Sequence, residues 1–261
     1  MPLPRPARLS PIDTRTGAIG VAAAALLSLA ATVASAAPAC GPDALGTARV
    51  ITLPREAAAW GAPQHQALPM LSPKEVVVTF DDGPHPGSTP SILATLASQC
   101  VKATFFEVGA EVEAHPEIAR AVRDAGYAIG GHGYHHEHFP QLSPEAQLAD
   151  LGKLKAALKT ELGIELVAYR FPFLEETQTL KDALAAQRTT IMSIDVAIDD
   201  WLPDQTAEML AARLLERLKA SPGHGHILLF HDAFDGTAKA LPLLLETLRK
   251  GGYSVVQLRW E

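Results

Sequence analysis

The sequence predicts an α/β fold in which parallel strands are joined by helices. From Lys74 onward, short runs rich in β-branched and aromatic residues alternate with segments whose apolar residues recur at helical spacing. Such alternation is typical of parallel strands connected by crossover helices. In addition, acidic, basic and imidazole side chains follow the ends of several β-rich runs, and the carboxyl ends of parallel strands share one edge of a sheet. The pattern alone is compatible with a (β/α) barrel and with a doubly wound sheet.

Seven runs are predicted to be strands, at residues 75–80, 103–108, 127–130, 166–171, 189–195, 226–231 and 254–258. Between them, Ser143 is predicted to cap a helix that begins at Pro144 and ends before Gly163. Its apolar stripe consists of Leu148, Leu151, Leu154, Leu158 and Leu162, and a later helix carries Leu210, Leu214, Leu215 and Leu218. We assign both stripes to the core.

Residues 1–36 have the pattern of a secretory signal peptide. Three arginines precede an uncharged run from Gly17 through Val33, and Ala34-Ser35-Ala36 matches a cleavage site. The apolar run is short and Ala-rich for a stable span, which disfavours the alternative of a membrane anchor. Lipidation at Cys40 is also disfavoured, because Ala37 stands where a lipoprotein signal has a larger aliphatic residue. We expect export to the periplasm or the extracellular space after cleavage near Ala36.

The remainder divides into an Ala-, Pro- and Gly-rich extension at 37–73 and one domain at 74–261 that is long enough for a large core. The only two cysteines are Cys40 and Cys100, and export permits a disulfide between them, with two buried free thiols as the alternative. The formal net charge is −7, without a stripe of Lys and Arg. Nucleic acid is therefore not expected as a partner.

Two adjacent carboxylates mark the end of the first predicted strand of the domain. The run from Val76 to Phe80 leads directly into Asp81 and Asp82, followed by Gly83-Pro84. Neighbouring carboxylates repel each other, so such a pair tends to persist where a cation or an Arg compensates the charge. We interpret the pair as half of a metal site. The alternative is an ordinary solvated turn, since Asp, Gly and Pro all favour turns.

Four histidines lie within seven residues, from His132 to His138. His132 and His136 are four residues apart, which on one helical turn would place both imidazoles on the same side. Together with one carboxylate oxygen they would form a three-ligand set that leaves one coordination position open. The alternative is a His-rich surface loop without a specific metal.

Five motifs in this order resemble those of the polysaccharide deacetylases, the NodB-like carbohydrate esterases. They are Thr79-Phe80-Asp81-Asp82-Gly83-Pro84, His132-x-x-x-His136, Arg170-Phe171-Pro172-Phe173, the segment from Asp195 to Asp200-Trp201, and Leu229-Phe230-His231-Asp232. The resemblance extends from about residue 74 to about residue 258. It implies an α/β fold that is a distorted (β/α) barrel of about seven parallel strands, with the active site at the carboxyl ends of those strands.

The resemblance assigns the metal and the base. Asp82, His132 and His136 would bind Zn²⁺ or another divalent transition metal, which activates water and polarises the acetyl carbonyl. Asp81 would be the general base that takes the proton of that water. Arg170 would hold Asp81 ionised and oriented through a charge-assisted hydrogen bond.

The resemblance also assigns the acid and the substrate contacts. His231 would protonate the leaving nitrogen, and Asp200 would be the carboxylate partner that keeps it cationic. Leu229 would line the pocket for the acetyl methyl group. Independently of the resemblance, the aromatic side chains of Trp201 and Tyr134 would stack on sugar faces, with packing as the alternative for each.

Several positions depart from the family pattern. The backbone N–H of Phe173 would help to bind the oxyanion, but the family usually has Tyr there, so a phenol contact is lost. Gly133 replaces a Ser or Thr whose hydroxyl would steady the histidine loop. Ile194 and Ala197 replace a usual Trp and Asp. These changes leave the ligands, the base and the acid in place, so we expect activity with an altered groove.

The expected function is that of an exported, metal-dependent hydrolase that removes N-acetyl groups from polysaccharide or oligosaccharide containing N-acetylglucosamine. Peptidoglycan, chitin-like chains and exopolysaccharide are all compatible substrates. One alternative is an O-acetyl polysaccharide esterase, such as an acetylxylan esterase, because the same site serves both reactions. A further alternative is a catalytically inactive sugar-binding relative. A small-amide hydrolase on the same scaffold is also possible in principle, but the predicted export disfavours it.

Overall fold

The computed structural model describes residues 40–62 and 64–261 of the 261-residue chain. The predicted signal peptide and its cleavage site near Ala36 lie outside these residues. Within the described ranges, no helix combines the length and the apolar character that crossing a bilayer would require.

Ten strands form one sheet in this part of the chain, and all their pairings are parallel. The strands are β1 (Thr47–Leu53), β2 (Ala59–Trp60), β3 (Glu75–Asp81), β4 (Thr104–Glu107), β5 (Ala128–Gly131), β6 (Ala168–Tyr169), β7 (Thr190–Met192), β8 (Val196–Ala197), β9 (His226–His231) and β10 (Ser254–Trp260). Each of the seven strands predicted from the sequence is present. The three additional strands are β1 and β2, which come from the predicted extension, and the short β8.

Helices connect most of these strands. They are α1 (Thr89–Ser98), α2 (Gly109–Ala114), α3 (Pro116–Asp124), α4 (Pro144–Ala157), α5 (Gln178–Ala186), α6 (Ala207–Ala220) and α7 (Asp235–Lys250). The alternation of strands and helices confirms the α/β class.

The strands form a distorted barrel. β9, β3, β4, β5, β6 and β7 follow one another as hydrogen-bonded neighbours, β8 pairs with β9, and β2 pairs with β7. Asp195, which follows β7, links this part of the barrel to β9. Its carboxylate accepts hydrogen bonds from the backbone N–H groups of Ala62, after β2 (2.8 Å), and Ile227, in β9 (2.7 Å). Asp195 therefore has a structural role at the irregular part of the barrel.

The buried residues form two hydrophobic clusters, which follow from the alternation of side chains along each strand. Val76, Val78 and Phe80 of β3 belong to the larger cluster, with the leucines of the helices. Val77 belongs to the smaller cluster, with residues of β1, β4, β9 and β10. The described part of the predicted extension thus contributes to the core.

The helix predicted between Ser143 and Gly163 is confirmed. The Ser143 hydroxyl accepts a hydrogen bond from the backbone N–H of Ala146, and Pro144 occupies the first turn. α4 continues as a turn of π-helix, Leu158–Leu162, which ends at Gly163 with φ 69°. The predicted core stripe is wrong at one position: Leu148 lies on the solvent-facing side of the helix and is exposed.

A disulfide joins Cys40 to Cys100, whose Cα atoms are 5.9 Å apart. The neighbouring backbone is also fixed, since Gly46 N–H donates to Gln99 O (2.9 Å) and Thr47 Oγ1 donates to Cys100 O (3.1 Å). The bond therefore ties the segment before β1 to the loop after α1.

We predict that denatured, unreduced protein has no titratable thiol. Because the bond closes a loop of 60 residues, its removal should lower the free energy of unfolding by about 4 kcal/mol on the chain-entropy estimate. The Cys40→Ala, Cys100→Ala variant measured in denaturant checks the magnitude. Two free thiols in the unreduced protein would contradict the prediction.

Candidate active site

The three predicted metal ligands converge at the carboxyl edge of the barrel. Asp82 Oδ1 lies 3.2 Å from His136 Nε2 and 3.4 Å from His132 Nε2. The three residues each offer one ligand atom, and these atoms lie within 4.8 Å of one another. The spacing is compatible with one metal ion bound by all three.

The histidine pair reaches this arrangement through a loop. His132 directly follows β5, and no α-helix lies between it and His136, so the expectation of one helical turn was wrong. The backbone instead enters the left-handed region at Gly133 (φ 74°) and at His136 (φ 57°). A side chain at position 133 would be strained there, which explains the glycine.

Asp150 of α4 supports this loop. Its carboxylate accepts hydrogen bonds from the backbone N–H groups of Tyr134 (2.8 Å) and His135 (3.2 Å). Burial raises the pKa of Asp150, although these two donors lower it in part. Asp150 therefore steadies this loop, in which Gly133 replaces a residue with a hydroxyl. The sequence did not indicate this role, because the contacts span 15 residues or more.

The residues present fit a divalent metal. Asp82 Oδ1 is buried without a hydrogen-bond partner. His132 Nδ1 is 2.8 Å from Arg170 O, to which it can donate, so Nε2 is left as the ligand atom. Burial alone would raise the pKa of Asp82, but its interactions with His132 and His136 lower that pKa well below the ordinary value. An ionised carboxylate and two imidazoles are ligands that suit Zn²⁺.

Asp81 is held by a fully buried arginine. Arg170 Nη1 donates to Asp81 Oδ1 at 2.6 Å and to Thr79 Oγ1 at 2.7 Å. Asp81 Oδ2 faces the ligand set, 3.6 Å from His132 Nε2. Burial lowers the pKa of Arg170 and the charge of Asp81 opposes that change. The guanidinium thus fixes one carboxylate oxygen and leaves the other directed at the metal ligands.

On the neighbouring strand, His231 is the register partner of Asp81. His231 Nδ1 lies 2.8 Å from Asp200 Oδ1, and Asp200 Oδ2 accepts hydrogen bonds from the His231 backbone N–H (2.9 Å) and from Thr237 Oγ1 (2.7 Å). Burial alone would lower the pKa of His231, but the hydrogen bond and charge of Asp200 raise it to about 9. The charges of Asp81 and Asp82 act in the same direction, so the site favours the protonated form of His231.

A cavity of about 500 Å³ lies in front of these groups. Its polar lining consists of Asp81, Asp82, His132, His136 and His231, and its apolar lining of Phe171, Phe173, Leu174, Ile194, Ala197, Trp201, Leu229 and Phe234. Trp201 is 45% exposed and packs edge-on against the His231 ring, with centroids 5.3 Å apart. Ile194 and Ala197 form an apolar wall at the two positions where the motifs of the resembled family usually have a Trp and an Asp.

Tyr134 does not line this cavity. Its phenol donates to Glu113 Oε2 at 2.7 Å, and Lys153 Nζ lies 5.4 Å from the ring centroid. Stacking of Tyr134 on a sugar stays a prediction, which concerns the surface beside the cavity.

Phe173 lies at the rim with half of its side chain exposed. Its ring packs edge-on against His136, with centroids 4.5 Å apart, and stacks on His138 at 3.8 Å with an interplanar angle of 7°. The backbone of Phe173 is left-handed, with φ 55°.

Sequence reasoning assigned no role to two buried carboxyls near this site. Glu107 ends β4 and Asp232 follows β9, and both have side-chain oxygens without hydrogen-bond partners. Burial raises the pKa of Glu107 well above its ordinary value and that of Asp232 to about 7. In the sequence, both residues are indicated only by an acidic side chain at the end of a buried β-rich run.

Comparisons with known proteins point to one family. The family model described as polysaccharide deacetylase matches residues 70–191. The peptidoglycan-N-acetylmuramic acid deacetylase PdaC of Bacillus subtilis is 28% identical over 183 residues, which are 70% of this chain and 38% of that protein. The peptidoglycan-N-acetylglucosamine deacetylase PgdA of Listeria monocytogenes is 28% identical over 185 residues, 71% of this chain and 38% of that protein. The chain thus spans well under half the length of these curated relatives.

Among solved structures, a peptidoglycan deacetylase of Bdellovibrio bacteriovorus superposes with a TM-score of 0.69 at 32% identity. The alignment covers 81% of this chain and 59% of that one. The distorted parallel barrel, the five ordered motifs and these matches together show that the chain belongs to the polysaccharide deacetylase family.

Proposed function

We propose that the protein is an exported, metal-dependent hydrolase that removes N-acetyl groups from polysaccharide containing N-acetylglucosamine. One observation carries the proposal: the Asp82-His132-His136 set, the base candidate Asp81 and the acid candidate His231 all line a single cavity. Relatives named as peptidoglycan deacetylases support the same chemistry.

Asp82, His132 and His136 would hold the metal, and Zn²⁺ is the ion that we propose. When bound, a divalent metal supplies Lewis acidity, which polarises the acyl carbonyl and lowers the pKa of a water molecule. The chain contributes the orientation of the ligands, since Arg170 O fixes the ring of His132.

Asp81 would act as the general base through Oδ2. The other oxygen, Oδ1, is engaged by Arg170, so proton transfer from the attacking water falls to the oxygen that faces the ligand set. The buried guanidinium thus fixes the orientation of the carboxylate and leaves Oδ2 as the oxygen that would accept the proton.

His231 would act as the general acid through Nε2. Asp200 engages Nδ1 and stabilises the imidazolium, so the opposite nitrogen is free to donate its proton to the leaving amine. The backbone N–H of Phe173 would donate to the oxyanion, and Leu229 would contact the acetyl methyl group. Trp201 lies at the rim, where it would pack against the sugar.

The apolar side chains of the cavity wall, among them Phe173, Trp201, Leu229 and Phe234, would pack against the apolar face of a sugar ring.

Acetate release from a glycan panel, with and without chelator, tests the proposal. The panel contains chitooligosaccharides, peptidoglycan, an N-acetylated exopolysaccharide and acetylated xylan. We expect chelator-sensitive release from N-acetylglucosamine-containing members. Release from acetylated xylan alone would instead establish an O-acetyl esterase, and binding without release would establish a sugar-binding relative.

We predict that metal binding depends on His132 and His136 together. A His132→Ala, His136→Ala variant should lose zinc during extensive dialysis, because one carboxylate alone does not retain the ion. His135→Ala is the matched control, since this exposed histidine of the same loop is not part of the ligand set. Elemental analysis measures both, and full zinc retention by the double variant would refute the assignment.

We predict separate losses for the base and the acid. Asp81→Asn and His231→Ala should each keep the metal and lose turnover on an N-acetyl glycan by about 10²–10⁴-fold, the usual contribution of general acid–base groups. On an activated acetate ester the His231→Ala deficit should shrink, because a good leaving group needs little protonation. Equal deficits on both substrates would mean that His231 is not the acid.

We predict a basic limb in the pH dependence of kcat/KM on the amide substrate. His231 is protonated below its raised pKa of about 9, so the rate should fall as the pH rises through that value. In Asp200→Asn the partner that raises this pKa is lost, and the limb should move toward the ordinary histidine value. An unchanged basic limb in Asp200→Asn would contradict the role of Asp200.

A further inference from the structure

The loop that carries Phe173, residues 172–176, has a backbone that requires support from its surroundings. Phe173 (φ 55°) and Leu174 (φ 58°) are consecutive residues in the left-handed region. Both carry a Cβ atom, so this conformation is unfavourable by itself and persists only where neighbouring structure fixes it. We refer to residues 172–176 as the Phe173 loop.

The histidine loop supplies one support, through His138. The imidazole of His138 stacks on the Phe173 ring at 3.8 Å, and its Nδ1 lies 2.9 Å from Glu175 Oε2. One side chain therefore contacts both an aromatic ring and a carboxylate of the Phe173 loop. His138 lies two residues after the metal ligand His136, so the same contact joins this loop to the ligand set.

The N-terminal segment supplies a second support. The Gln64 side-chain amide donates to Leu174 O, and its carbonyl accepts a hydrogen bond from Ser193 Oγ. His65 Nε2 lies 2.5 Å from Glu176 Oε1, and both of these side chains are largely buried. Gln64 and His65 precede residue 70, where the match to the family begins.

We infer that His138 and the Gln64-His65 pair are positioning residues that hold the Phe173 loop from two sides and aim the backbone N–H of Phe173 at the oxyanion. This inference rests on the proposed function, in which that N–H stabilises the developing charge. Such a donor is effective only at hydrogen-bond distance from the oxyanion, so a small displacement of the loop is expected to slow the reaction.

The two supports differ in character. The His138 and Glu175 side chains are 45% and 41% exposed, and exposed ion pairs contribute little by themselves. We therefore assign the effect of His138 mainly to the ring stack. A His138→Phe substitution keeps an aromatic ring and removes the contact with Glu175, so it separates the two contributions.

The experiment compares wild type, His138→Ala, His138→Phe and the Gln64→Ala, His65→Ala double variant, with His135→Ala as the control. Hydrogen–deuterium exchange of peptides covering 172–176 measures the order of the loop, and it requires no substrate. Metal content is measured on the same samples, and kcat and KM are measured on a chitooligosaccharide. These readouts separate displacement of the loop from loss of the ion.

We expect faster exchange of the Phe173 loop in His138→Ala and in the double variant, and a kcat about tenfold lower with metal content unchanged. His138→Phe should recover most of kcat, and His135→Ala should match wild type in every readout.

Exchange that stays at the wild-type rate in both His138→Ala and the double variant would overturn the inference. Faster exchange with an unchanged kcat, or a fall in kcat that follows loss of the ion, would overturn the positioning role. If wild type releases no acetate from any N-acetyl glycan, the proposed function fails, and the exchange rates still decide whether these residues hold the loop.

Discussion

The buried ion pair between Arg170 and Asp81 is the interaction on which the site depends. Arg170 is fully buried, and desolvation of its charge is offset only because nearly every donor is used. Its hydrogen bonds reach the side chains of Asp81 and Thr79 and the backbone carbonyls of Met192 and Ser193. One side chain thus connects β3, β6 and the end of β7. Removal of either charge would leave its partner buried and unpaired, at a cost of about 3–5 kcal/mol.

Around this ion pair, the pKa values of neighbouring carboxyl groups are shifted in opposite directions. Asp82 lies among imidazoles and its pKa is lowered, whereas the pKa values of buried Glu107 and Asp232 are raised. His231 keeps its proton because Asp200 is aligned by the His231 backbone and by Thr237. Carboxyl groups within one small region therefore differ in the direction of their pKa shifts, according to their partners.

The described part of the N-terminal segment makes more contacts with the domain than its Ala-, Pro- and Gly-rich composition suggested. β1 pairs with β10, β2 pairs with β7, and the bond from Cys40 to Cys100 fixes the beginning of the described chain. The same segment reaches the Phe173 loop through Gln64 and His65. Structure outside the family match therefore contacts the rim of the cavity.

The sequence by itself determined the α/β class, the seven strands of the domain and the shared edge at which Asp81, Asp82, His132, His136 and His231 lie, because strand ends in a parallel barrel necessarily share one edge. It also determined the chemistry available to Asp81, Asp82, His132, His136 and His231. Only the tertiary structure decided how the pieces meet. His132 and His136, the two proposed metal ligands, come together through left-handed loop residues, and Asp150 supports their loop from a distant helix. Leu148 is exposed, and Tyr134 lies beside the cavity. These outcomes depend on contacts between residues far apart in the chain, which local periodicity and motif spacing do not encode.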